Sequence, residues 1–152
     1  MKKYLFLCII ALFVVSGCVD KIQTQIQAEK TGWDQAKYEE YSKYFDHVMD
    51  NQRVPSLAQS LEFEVKDKLY GMRSDGSEFE RTWFLAFSNL QSGLELKARA
   101  YSFTCYPMKV GEKPDGANIA SCYNGNKALL ESKPYFNKSL EYRQKIEEMK
   151  PK

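Results

Sequence analysis

The sequence predicts an α+β domain: an N-terminal amphipathic helix packed on a four-stranded antiparallel meander, followed by a short C-terminal helix. Three observations predict it. Aromatic residues in 33–52 recur at spacings of three and four, the period of one helix face. Between residues 61 and 123, apolar and charged residues alternate in stretches separated by turn-forming runs, the period of strands. After residue 126 the chain turns polar and helix-favouring.

The elements follow in chain order, beginning with a leader. Lys2 and Lys3 precede twelve residues of nearly unbroken apolar character, Tyr4–Val15, and Ser16 and Gly17 place small residues before Cys18. That is the layout of a secretory signal. Twelve residues rise only about 18 Å as a helix, short of the roughly 30 Å hydrocarbon core, so removal is favoured over a permanent span. Val15-Ser16-Gly17-Cys18 resembles the lipobox of bacterial lipoproteins. The resemblance implies that residues 1–17 are removed, that the Cys18 thiol carries a diacylglycerol, and that the new amino terminus is acylated. Two acyl chains suffice for stable anchoring. In Gram-negative members of that class an aspartate directly after the cysteine favours inner-membrane retention. Val19 stands there and Asp20 comes one later, so the resemblance implies the outer membrane, facing the periplasm. Residues 18–32, polar and glutamine-rich, form the lipidated tether, and residues 33–152 form a single globular domain.

Within that domain, Tyr38, Tyr41, Phe45, Val48 and Gln52 lay an aromatic stripe along a helix that ends before Val54-Pro55. Leu57, Leu61, Val65 and Leu69 are spaced by four and fit a helix, yet LEFEVKDKLY also alternates. The sequel favours strand. RSDGS, residues 73–77, is a turn signal, and EFERTWFLAF sets Phe79, Trp83, Leu85 and Phe87 on one parity, which completes a hairpin. LELKARAYSFTCY alternates most regularly and makes the third strand. PMKVGEKPDGAN is a loop, and IASCY the fourth strand. Pro134 interrupts the following helical segment, so the last helix, with Phe136, Leu140, Arg143 and Ile146 at helical spacing, is short. This order resembles the cystatin-like folds, in which a curved sheet wraps a helix. The arguable period in 54–72 and 78–92 leaves an all-α bundle as the alternative.

Composition bounds the function. Loss of residues 1–17 removes Lys2 and Lys3, so 20 of the 22 basic residues remain against 20 acidic ones. A near-neutral chain without a basic stripe does not fit a nucleic-acid binder. Cys105 and Cys122 are the pair left after the leader and Cys18, and in an exported protein such a pair predicts a structural disulfide. With sixteen residues between them, it contributes about 3 kcal/mol. The single histidine, His47, lies on the first helix, and the chain has no GxSxG, P-loop, HExxH or dinucleotide fingerprint. No catalytic set, metal or cofactor is therefore expected.

Tyrosine is the distinctive residue: ten in all, with Tyr101, Tyr106, Tyr123 and Tyr135 around the cysteine hairpin. Tyrosines bury large area while keeping a polar tip, which suits partner surfaces. A disulfide-stiffened loop flanked by them makes Tyr101, Tyr106, Lys109, Lys113, Asp115 and Tyr123 the candidate partner contacts. The expected function is that of a non-enzymatic envelope lipoprotein that binds another envelope or exported protein, as an immunity, inhibitor, exclusion, or secretion or conjugation accessory protein. The alternative is a small-molecule or lipid binder using a concave sheet face and the aromatics Phe63, Trp83 and Phe87, whose signature is an apolar cavity of several hundred Å³.

Overall fold

A computed structural model describes residues 21–103 and 115–151 of the chain. Among these residues the protein is all-α, with five helices and no strand. The four-stranded meander and the cystatin-like topology are corrected accordingly, and the all-α bundle that the spacing left open is the fold.

Helix α1 covers residues 21–31. It stops at Gly32, whose φ of 70° lies in the left-handed region, and the amides of Gly32 and Trp33 both donate to the Ala28 carbonyl, at 2.8 and 3.0 Å. Glycine is needed here twice over. Its φ closes the helix, and a Cβ would fall 2.2 Å from the Cβ of Ser77.

Helix α2, Gln35–Asn51, starts where the Asp34 side chain accepts a hydrogen bond from the Lys37 amide at 3.0 Å. Its stripe packs as the spacing predicts, with Phe45 and Val48 buried and Tyr38 and Tyr41 lying against the core, where Tyr44, outside the expected stripe, joins them. A single 3-10 turn, Pro55–Leu57, leads into α3, Ala58–Tyr70. Leu61 and Val65 are buried on α3 while Phe63 is exposed, which is a helical face and not an alternating one.

Helix α4, Glu78–Ser102, replaces the second and third expected strands. Ser77 and Glu80 close a capping box: the Ser77 hydroxyl accepts from the Glu80 amide and the Glu80 carboxylate accepts from the Ser77 amide. RSDGS is thus a turn into a helix. Phe79, Trp83, Ala86, Phe87, Leu90 and Leu94 form its buried face, while Leu85, assigned by parity to the core, is exposed.

Helix α5, Gly116–Met149, takes in the expected fourth strand and the short C-terminal helix in one run of 34 residues. It passes through Pro134 without ending. Proline deprives the carbonyl four residues earlier of its donor, but Leu130 and Pro134 both lie on the exposed side, so the lost bond is not a buried one.

The helices α2 to α5 alternate up and down. Trp33 meets Phe79, Phe45 meets Phe87 and Gln52 meets Lys97, so α2 and α4 run parallel. Trp83 meets Arg143, the Ser139 hydroxyl donates to the Ala86 carbonyl at 2.8 Å, and Gly93 faces Phe136, so α4 and α5 run antiparallel. This is a bundle with short links between α2, α3 and α4. At its centre the fully buried Trp83 stacks on Phe87 at 5.5 Å and meets Tyr41 and Phe45 edge-on at 5.6 and 6.2 Å.

The α4 cap also ties down α2, because Lys37 Nζ stands 2.7 Å from Glu80 Oε1. The Lys37 hydrogen bond, and then the Ser77 amide, hold the Glu80 carboxyl below its ordinary value of 4.5. A carboxyl with a lowered folded-state pKa adds stability above its ordinary value, and that stability disappears as the pH falls through the lowered one. Urea denaturation of the Glu80→Gln variant should therefore show a shallower loss of stability below about pH 4.5 than the wild type, with a cost near neutrality of about 1 kcal/mol from the weakened cap. Parallel acid profiles for the two proteins would exclude this account.

Candidate functional site

Of the residues expected to contact a partner, Tyr101, Asp115 and Tyr123 are described, and they belong to the end of the bundle where α4 finishes and α5 begins. Asp115 is a helix cap: its Oδ1 accepts from the Asn118 amide at 2.6 Å and starts α5. Cys122, about two turns further, is disulfide-bonded. The other three cysteines, Cys8, Cys18 and the expected partner Cys105, lie outside the described residues, as do Tyr106, Lys109, Lys113 and the leader. Gly125 lets the two helices close here, since a Cβ on it would stand 3.3 Å from the Ala100 carbonyl oxygen.

Tyr101 and Tyr123 are not brought together. Tyr101 lines a groove between α4 and α5 with Phe103, Cys122 and Leu129. Tyr123 is 66 % exposed on the opposite side of α5. At about 100° per residue, Ile119, Tyr123 and Leu130 fall within about 40° of one another, roughly opposite the buried Gly125, Ala128 and Ser132. All three are more than half exposed, at 53 %, 66 % and 61 %. Ile119 and Leu130 escape the sequence reading because a strand and a short helix divide their segment there. The signal that finds them is their i, i+4, i+11 spacing.

Elsewhere the polar chemistry braces the bundle. The Tyr38 hydroxyl donates to both Glu147 carboxylate oxygens, at 2.6 and 2.8 Å. The Arg143 guanidinium pairs with Glu147 and lies 5.3 Å from the ring centres of both Tyr38 and Trp83. Burial pushes the Glu147 carboxyl up, but the hydrogen bonds from Tyr38 and Arg143 prevail and leave it below its ordinary value. Desolvation pushes the Tyr44 hydroxyl, buried against the core, up to about 12. His47 is exposed on α2, its ring 3.3 Å from the Asn51 amide. Among the described residues no three His, Cys, Asp or Glu side chains cluster as metal ligands, and no helix is long and apolar enough to cross a membrane.

Among the described residues there is no sheet, and so no concave sheet face to hold a ligand. Phe63 is exposed on α3, whereas Trp83 and Phe87 are fully buried in the packed core of the bundle. Compared with known proteins, the chain matches no family model, no curated protein and no solved structure.

Proposed function

We propose that the protein is a lipoprotein of the bacterial envelope, anchored through acyl chains on Cys18 in the outer membrane and facing the periplasm, and that it binds another envelope or exported protein through the outward face of α5. The observation that carries this reading is the stripe of Ile119, Tyr123 and Leu130, three large apolar side chains held in solvent on a helix whose other face is packed. Exposed apolar side chains aligned along one face of a regular helix suit docking against a partner's groove or helix. Tyr123 at the middle is the residue type that dominates such contacts. An immunity, inhibitor, exclusion or assembly-accessory role accords with a small anchored binder.

Capture from detergent-solubilised cells, with the intact lipoprotein as bait and a Cys18→Ser form as control, identifies the partner. The purified pair then gives the test. Tyr123→Asp and Leu130→Asp should each weaken binding about a hundredfold, or about 2.7 kcal/mol, while leaving the helical circular dichroism unchanged because both side chains are exposed. Full affinity in both variants would reject the α5 surface.

A further inference from the structure

Lys97 sits on α4 beside the end of α2. Its ammonium donates to the Gln52 main-chain carbonyl at 2.9 Å and to the Gln52 side-chain oxygen, and stands 4.8 Å from the centre of the Phe136 ring. These neighbours are neutral. None of the ion pairs among the described residues includes Lys97, and of its three N–H donors Gln52 takes two. Burial, and then the charge of Arg53, push its pKa below the ordinary lysine value. A half-buried cation without an opposite charge is a site of unsatisfied positive potential.

That cation forms part of the wall of a groove of about 410 Å³, together with Tyr101, Leu129, Lys133, Phe136 and Asn137. Two lysines line it and no carboxylate does. The volume falls within the roughly 300–1,000 Å³ of small-ligand sites. The geometry points to a binding site for a small organic anion, a carboxylate whose head meets Lys97 and Lys133 and whose hydrocarbon body lies along Leu129, Tyr101 and Phe136. An inorganic anion would satisfy the lysines but leave that apolar wall uncovered. A neutral body alone would leave Lys97 uncompensated. This site stands independently of the protein-binding face, because it is built from side chains between α4 and α5 and from the end of α2.

The test uses the full-length lipoprotein in detergent, trace-labelled with acetic anhydride, with the acetylation rate of each lysine read by peptide mass spectrometry. The probe is 4-phenylbutyrate and the control its neutral amide, 4-phenylbutanamide. A bound carboxylate keeps the Lys97 amine protonated and shielded. At about 10 mM probe and a Kd of about 1 mM, acetylation of Lys97 should slow about tenfold, while exposed Lys127 labels as before and the amide has no effect. Saturation-transfer NMR of the probe should lose most of its signal in Lys97→Met and in Lys133→Met. Lys133 is exposed, so that variant keeps the fold. Unslowed labelling of Lys97, equal slowing by the amide or at Lys127, or undiminished transfer to both variants would each overturn the site.

Discussion

Replacing Trp83 by alanine is expected to lower the stability of the domain by about 3–5 kcal/mol, the largest effect of any single truncation in the bundle. The indole is fully buried and sits where three helices meet. It stacks on Phe87, meets Tyr41 and Phe45 of α2 edge-on, and lies under the Arg143 guanidinium of α5. Truncation removes the transferred apolar area and leaves a cavity that rigid aromatic neighbours cannot fill. It also strips Arg143 of one of its two ring partners, which loosens the ion pair with Glu147. Urea denaturation followed by far-UV circular dichroism measures the loss. A shift below about 1 kcal/mol would mean that the core tolerates repacking at its centre and that the aromatic cluster is not the organising contact.

Valine at Gly93 is expected to cost about 2–3 kcal/mol, for a reason located at one contact. A Cβ on Gly93 would stand 3.0 Å from Cε2 and Cζ of Phe136, so the ring must move, and the Lys97 ammonium 4.8 Å from its centre must move with it. The branched side chain adds two γ-methyls beyond that Cβ. Alanine at the same position is expected to be nearly neutral, because relief of glycine's helix penalty of about 1 kcal/mol offsets a small displacement of the ring. Pairing Gly93→Val with Phe136→Leu supplies the check. If the contact is the cause, the double variant recovers at least about 1 kcal/mol relative to the sum of the single changes, and simple additivity would reject it.

The first helix of the bundle is legible in the sequence because Tyr38, Tyr41, Phe45 and Val48 obey only one period. The segments that became α3 and α4 are not, because residues four apart share both a strand parity and a helix face. Leu61 with Val65, and Phe79 with Trp83 and Phe87, fit either structure. What separates the two readings is the intervening apolar residues. Phe63 and Leu85 count toward a strand by parity, and tertiary packing leaves both in solvent. One local signal did point the right way: Ser77 followed three residues later by Glu80 is a helix start. The preceding RSDGS turn masks it, since a turn opens a helix as readily as it closes a hairpin. The outward apolar stripe of α5 was hidden by the same error, which divided one helix at residues 123–134. The groove at Lys97 could not be read from spacing at all, because Gln52 and Phe136, which make it, lie far away along the chain on either side.

Helix α1 gives the proposed anchoring a mechanical character. Its eleven residues rise about 16 Å, where the same length of extended chain reaches about 37 Å. At its far end the Gly32 corner is wedged against Ser77 at the entry of α4. Over these residues the link to the domain would be a short post and not a loose line, which shortens the domain's reach from the bilayer. The post would contribute to capture by raising the effective concentration of the α5 face within a thin layer, so that a modest intrinsic affinity could suffice at the membrane and fail in dilute solution.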